Sequence, residues 1–319
     1  MPLDGRREIL MKISIQTGNA CDMIGVDEGM KAIREAGFET VDFGGLCDHY
    51  TWADAQEEKR CAFFDDEENL AAFMKEYADA AEKYGISFGQ FHAPFPSYYP
   101  KKPQATAIAQ EMIRKSIELC GSVNCPYIIV HPCFDGSARF PSLTKEQEYQ
   151  LNIEFYSSLI PLLKKYNVVC CLENMWGQDW KSKKIYFGSC SDMKESCRYI
   201  DELNAIAGEK RFGFCLDIGH LLLLGLDPCY AIEELGDRLV TLHVHDNDGV
   251  GDDHIMPYLG VCNWNRVIKG LRTIGYKGTF NLETLGFNGK FPKELIPDAL
   301  KMLGATAKYL RDRVQAEEK

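Results

Sequence analysis

Apolar positions along the chain fall into short runs separated by longer segments in which they recur every three to four residues, the alternation of strands with amphipathic helices. Eight runs read as strands: KISIQT at 12–17, TVDFGG at 40–45, SFGQFHAP at 87–94, YIIVHPC at 127–133, VVCCLENM at 168–175, FGFCLDIG at 212–219, LVTLHVHD at 239–246 and GTFNLET at 278–284. Several are almost continuously apolar, as parallel strands covered on both faces must be. Between them, NLAAFMKEYADAAEKYG (69–85) and YQLNIEFYSSLIPLLKKYN (149–167) carry helical spacing and close on Gly or Asn. No linker or low-complexity tract interrupts the series, so the pattern predicts an α/β fold, a single (β/α)8 barrel over 1–319. Residues 1–11 read as an N-terminal extension, the last helix starts near Pro292, and 312–319 read as a frayed tail. No GxGxxG follows the first run, so no nucleotide cofactor is expected.

Composition changes this picture little. At 319 residues the chain fits one such barrel. A formal charge of −11 weakens attraction to a polyanion, which disfavours nucleic acid as partner, although a local basic groove or a metal cluster could still hold phosphate. Thirteen cysteines are an odd number, and Cys170, Cys171 and Cys215 lie within apolar runs, so reduced core thiols are expected. Neither a CxxC pair nor a Cys/His finger spacing occurs. No stretch reaches the ~20 apolar residues of a membrane span, and MPLDGRREILMKISIQ lacks the apolar centre of a secretory signal, so a cytoplasmic location is expected. The sequence leaves a homo-oligomer open.

The chemistry gathers where the runs end, which in this fold is the functional face. Run three ends at His92, four at His131, five at Glu173, six at Asp217 with His220 close behind, seven at His243, His245 and Asp246, and eight at Glu283. Of seven histidines only His49 and His254 fall outside these ends, and both lie in loops that follow one. Each residue alone has a bland reading: Asp217 as a helix N-cap, His92 or His131 as a satisfied core imidazole, Glu173 as a surface carboxylate. Together they do not, because two glutamates ending buried strands would suffer heavy desolvation unless paired or bound to a cation. Glu173, Asp217, His243 and Glu283 form an oxygen/nitrogen set suited to Mn²⁺, Mg²⁺, Co²⁺ or Zn²⁺, and the lack of a thiolate argues for a catalytic over a structural metal.

The segments CLEN (171–174), CLDIGH (215–220), HVHDN (243–247) and NLET (281–284), in this order, resemble the sugar phosphate isomerase/epimerase group of xylose isomerase-like barrels over the whole chain. The resemblance implies that Glu173, Asp217, His243 and Glu283 bind one divalent metal and that His220 contacts a sugar. The same residues are similar to those of endonuclease IV, an abasic-site nuclease of this barrel that holds three zinc ions. Its further ligands match His92, His131, His220, Asp252 and His254, the last two forming a D-x-H pair in GVGDDHIMPYLG. Against a nuclease, no Arg/Lys-rich loop is evident, and APFPSYYPKKP after the third run carries one lysine pair. Its Tyr98 and Tyr99 suit a sugar, a base or a plain surface equally.

The expected function is therefore a divalent-metal-dependent isomerase or epimerase of a sugar or sugar phosphate, acting by proton abstraction with a metal-stabilised enediolate. Glu173 and Glu283 are the expected acid/base pair, with His220, His92 and His131 as substrate contacts. Trp176, Phe95 and Trp264 are candidates for the pocket wall, with simple packing as the rival reading. Lys290, in LGFNGKF (285–291), is a candidate phosphate contact beside the rival reading of a plain turn. The alternatives are an endonuclease IV-like phosphodiesterase on abasic DNA, a keto-sugar dehydratase and a non-catalytic sugar-binding barrel. Isomerisation, epimerisation and dehydration share the same first proton abstraction, so the residues do not separate them.

Overall fold

A computed structural model describes residues 11–18, 20–135, 142–179 and 181–316. Residues 1–10 of the expected extension and 317–319 of the expected tail lie outside the described residues. Eight strands form one sheet: β1 (Ile13–Gln16), β2 (Thr40–Phe43), β3 (Ser87–His92), β4 (Tyr127–Ile129), β5 (Val169–Glu173), β6 (Phe212–Asp217), β7 (Leu239–His243) and β8 (Phe280–Leu282). Every ladder is parallel, in the order β8-β1-β2-β3-β4-β5-β6-β7. The remaining seam, β7 to β8, is joined by a single parallel bridge, Val244 to Leu282. There the Val244 N–H donates to Asn281 O at 2.9 Å and the Glu283 N–H to Val244 O at 3.0 Å. The sheet is thus a nearly closed barrel with flanking helices, and its last seam is tied at the functional end.

Each expected run contains one strand, shorter than the run because the residues after the last ladder pair turn into loops. The helices start earlier than the apolar pattern suggested, since their first turns are polar. Glu67–Tyr84 is capped by Asp66 and stopped by left-handed Gly85, and Lys145–Tyr166 opens on a Thr144/Gln147 capping box and stops at left-handed Asn167. A short antiparallel hairpin, Trp176–Gln178 with Ile185–Phe187, follows β5 and stands outside the eight expected runs. The last helix runs Ile296–Gln315 after a single turn at Lys293–Leu295. Its end corrects the expected fray from 312. Val314 is buried, and the Arg311 guanidinium donates to Met11 O at 3.3 Å, so this helix is pinned to the entry of β1.

Inside the barrel, Ile129, Cys171 and Cys215 form a small apolar layer below the mouth. All thirteen cysteines are free thiols, ten of them buried, as their apolar settings implied. Among the described residues no helix is long and apolar enough to cross a membrane.

Candidate metal centre

Because side chains alternate along a strand, the inward residue at each C-terminal end points into the same mouth. His92, Glu173, Asp217 and His243 are the last residues of β3, β5, β6 and β7, while His131 and Glu283 lie just beyond β4 and β8. All six are buried, with Asp217 and His243 at 0% exposure.

Around His243 the four expected metal ligands meet. Its Nδ1 is 3.2 Å from Glu173 Oε1, 3.5 Å from Glu283 Oε2 and 4.0 Å from Asp217 Oδ2. Two further sets flank them. His131 Nε2 lies 3.2 Å from Glu173 Oε2, and His92 joins this pair with ligand atoms within 4.8 Å. On the other side, His220 Nε2 and His254 Nε2 are each 3.3 Å from Asp252 Oδ2. All nine positions singled out in the sequence therefore converge, with Glu173 shared between two sets.

The backbone explains the aim of each ligand. Asp217 caps the helix Ile218–Leu223, its Oδ1 accepting the His220 N–H at 2.7 Å, and turns Oδ2 toward the cluster, so the N-cap role leaves that oxygen facing the candidate ligands. Asn174 ties β5 to β6: its Nδ2 donates to Asp217 O at 2.9 Å and its Oδ1 accepts the Asp217 N–H at 2.8 Å. Asp246 organises the loop that carries Asp252 and His254. Its Oδ1 accepts the N–H groups of Asn247 (3.1 Å) and Cys262 (3.0 Å), and its Oδ2 accepts Tyr258 N–H and Trp264 Nε1–H, both at 3.1 Å. His254 itself takes a left-handed conformation (φ 46), uncommon outside glycine and concentrated at functional sites. A Cβ on Gly219 would overlap the His245 ring, so only glycine lets His245 reach Asp217 Oδ2 at 3.1 Å.

Four imidazoles present Nδ1 to a backbone carbonyl: His92 to Ala93 O at 3.0 Å, His220 to Asn174 O at 2.7 Å, His254 to Glu283 O at 3.0 Å and His245 to Asp246 O at 3.4 Å. Nδ1–H donation there leaves Nε2 as the free lone pair. His243 is reversed. Its Nδ1 faces the carboxylates, and its Nε2 lies 3.2 Å from Asp42 Oδ2.

Burial and neighbouring charge drive the titrating groups apart. Burial raises the Glu283 carboxyl above its ordinary value, against the pull of His243 and His254. Burial also opposes ionisation of Glu173, but His243 and His131 overcome it and hold that carboxyl well below the usual range. His92 is pushed down to about 4 by burial, with His131 and His243 acting in the same direction, and is a neutral imidazole. His254 moves the other way: burial disfavours its charge, yet Glu283 and Asp252 raise it to about 10.

The residues fit a divalent cation. Among the described residues these carboxylates pair only with histidines, without Lys or Arg. Glu173 Oε2, His131 Nδ1, both ring nitrogens of His243 and Asp252 Oδ1 are buried without an aligned hydrogen bond, a cost that a shared cation relieves for the atoms facing the cluster.

Trp176, half-buried, donates its Nε1–H to Asp252 Oδ2 at 3.3 Å and sets its ring edge-on to His220, and Phe95 lies 4.6 Å from the His131 ring. Trp264 does not line the mouth: it is buried under the β7–β8 loop, where its ring nitrogen serves Asp246. Lys290 is exposed beyond the turn Leu285–Asn288 and is not drawn into the cluster. Tyr99 is buried rather than presented to a ligand. Sequence reasoning passed over Asp42, Gln16 and Asn174. The signal was a polar residue within an apolar run, in TVDFGG, KISIQT and CLEN. Gln16 Nε2 donates to Glu283 Oε1 at 3.1 Å and turns Oε2 toward His243.

The model of the xylose isomerase-like TIM barrel family matches residues 30–306. An uncharacterised protein of Sinorhizobium fredii is 38% identical over 72 residues, which span 23% of this chain and 23% of that protein. One of Methanocaldococcus jannaschii is 26% identical over 221 residues, spanning 66% of this chain and 70% of its own. Among solved structures, a D-tagatose 3-epimerase-like protein superposes with a TM-score of 0.64 at 20% identity, over 92% of this chain and 99% of that one. The 3-keto-D-glucoside 4-epimerase of E. coli gives 0.65 at 15%, over 92% and 98%. An L-ribulose 3-epimerase gives 0.64 at 14%, over 97% and 100%. At these identities the likeness is one of fold.

Proposed function

The chain belongs to the xylose isomerase-like TIM barrel family, and from that premise we propose that it is a divalent-metal-dependent isomerase or epimerase of a sugar or sugar phosphate, acting by proton abstraction beside a carbonyl. The observation that carries this reading is the pair Glu173 and Glu283, two buried carboxylates facing one imidazole nitrogen at 3.2 and 3.5 Å while their proton affinities are driven in opposite directions. Such a pair divides into base and acid. The named activities of the solved neighbours, sugar epimerases, support the substrate class.

Glu173, Asp217, His243 and Glu283 would hold the cation, which would supply positive charge to stabilise the negative charge that develops when a proton is taken from a carbon beside a carbonyl. Glu173, kept ionised by His243 and His131, takes the proton from that carbon. Glu283, whose Oε1 is fixed by Gln16, returns a proton through Oε2. His220, anchored at Nδ1 by Asn174 O, offers Nε2 to a hydroxyl, with His92 and His131 on the opposite flank.

A second reading rests on a different observation, the overlap of several candidate ligand groups at one mouth together with the His220–Asp252–His254 contacts, which favours cleavage of a phosphodiester between several cations. The charge of −11 weighs against a DNA substrate, and of the lysine pair near the mouth Lys102 is committed to Gln56 O at 2.6 Å. One experiment separates the two: metal-loaded protein is incubated in D2O with a panel of ketoses and their phosphates, and in parallel with an abasic-site duplex. Deuterium entering a sugar C–H bond bears out the first reading. Strand cleavage without exchange, with three cations per chain, replaces it with the second.

A further inference from the structure

At the mouth His92, His220, His245 and His254 present Nδ1 to a backbone carbonyl, whereas His243 has carboxylates at both ring nitrogens, Asp42 Oδ2 lying 3.2 Å from its Nε2 without the alignment of a hydrogen bond. That carboxylate, Asp42, comes from β2, across the barrel from β7. It is fully buried, and among the described residues no Lys or Arg faces it. Its Oδ2 accepts Gln90 Nε2–H and Asn281 Nδ2–H, both at 3.0 Å, from β3 and β8, so its position is fixed from both sides. Burying a carboxylate costs several kcal/mol unless it is compensated, and two amide donors compensate only part of that. The same oxygen also faces the His243 ring, whose Nε2 lies 3.2 Å away.

We propose that Asp42 is a positioning residue for the metal centre: it holds the proton of His243 on Nε2, aims Nδ1 at Glu173, Asp217 and Glu283, and so raises the affinity of that set for a divalent cation. A carboxylate behind a ligating imidazole fixes the ring's tautomer and increases its basicity. The same contact explains why a charged residue interrupts the apolar run TVDF: a leucine there would leave Gln90 and Asn281 without their acceptor and the ring free to rotate. The inference rests on the metal reading given above and adds to it a residue that touches no substrate.

The test is Co²⁺ affinity of the full-length protein, measured by competition with a chromogenic chelator, together with the Co²⁺ absorption spectrum and the melting temperature of the ion-free protein. Asp42→Ala is expected to weaken the tightest site by roughly 10- to 100-fold, as loss of such partners does. Asp42→Asn, whose amide oxygen still accepts from the ring, recovers most of that loss and shifts the Co²⁺ bands only slightly. Asp42→Ala affinity within twofold of wild type overturns the proposal, even if the ion-free protein melts earlier, because that is a packing effect. Should Asp42→Ala not fold, Asp42→Asn carries the test: affinity, pH profile and spectrum all identical to wild type overturn it. A wild-type protein that binds no Co²⁺ overturns the metal reading itself, and this one with it.

Discussion

The backbone carbonyl of Glu283 accepts the Nδ1–H of His254 at 3.0 Å, so the residue that ends β8 as a ligand also aims the ligand carried by the β7–β8 loop. His254 Nδ1 also lies 3.5 Å from Glu283 Oε2, so the two border the same space. His254→Ala removes a ligand from the Asp252 set and leaves Glu283 in place; His243→Ala removes the nitrogen on which the other three ligands converge. After dialysis against metal-free buffer, elemental analysis is expected to find at least one cation per chain in the first variant and loss of the central cation in the second.

Glu173 faces His243 at 3.2 Å and His131 at 3.2 Å through different oxygens. Glu173→Gln keeps the shape and removes both the base and a buried charge. Turnover is expected to fall at least about 10²-fold, the usual worth of a positioned proton acceptor. The melting temperature of the ion-free protein should fall at neutral pH, since His243 and His131 hold this carboxyl well below its ordinary range and its ionised form therefore stabilises the fold. Turnover unchanged in this variant removes Glu173 from the mechanism.

Cation binding to a site that exists only in the folded chain adds stability by mass action, about 2.7 kcal/mol at a free concentration a hundred times Kd. For a chain of this size that corresponds to a rise of several degrees in melting temperature. Thermal unfolding followed with and without excess Mn²⁺ or Zn²⁺, and again after a chelator, should show the rise and its reversal. Identical curves would contradict the fit between these ligands and a cation.

In the ion-free protein His254 is raised from an ordinary 6.5 to about 10: burial lowers it, but Glu283 and Asp252 outweigh burial. Its folded-state value exceeds the unfolded one, so its contribution to ion-free stability is fully present below about 6.5 and is lost as pH rises through about 10. A cation reaching Nε2 must displace that proton. Metal binding at pH 7 is therefore expected to release protons, and the apparent affinity to climb with pH. Calorimetry in buffers of different ionisation enthalpy measures the count; a buffer-independent heat would contradict it.

The barrel and the residues that gather at its mouth were legible in the chain because both follow from periodicity. Parallel strands read as apolar runs, and a polar residue closing such a run can only lie at the mouth, which is how His92, Glu173, Asp217 and Glu283 stand out. What stayed hidden depends on contacts between strands far apart in sequence. Asp42 and Gln16 sit inside runs where a polar residue looks like an interruption, and only the closed barrel brings them against His243 and Glu283. For Trp264 the sequence left a pocket wall and simple packing side by side, and packing holds, with Asp246 drawing its ring nitrogen beneath the loop. Lys290 follows β8 in sequence, but the turn Leu285–Asn288 carries it to the surface.

Asp246 is where the loop bearing Asp252 and His254 is most open to attack. Its carboxylate satisfies four donors, and Asp246→Ala strands three backbone N–H groups and the Trp264 ring nitrogen, each buried unmet donor costing about 1–3 kcal/mol. The loop's other ties include the Asp246–Ile255 bridge, the Val261 N–H to Asn247 O, the Phe287 N–H to His254 O, the Asn247 amide to Gly219 O, the Trp176 ring nitrogen to Asp252 and the His254 ring to Glu283 O. Because the barrel strands do not depend on them, the loss should be local, with the loop opening while the sheet stays folded. Hydrogen exchange should accelerate over 247–263 and not over β1–β6, limited proteolysis should cut near the exposed Val250 or Leu259, and the Asp252 set should lose its cation before the His243 set does. Equal acceleration over the whole chain would mean that the loop and the barrel unfold as one unit, and that Asp246 supports the fold as a whole.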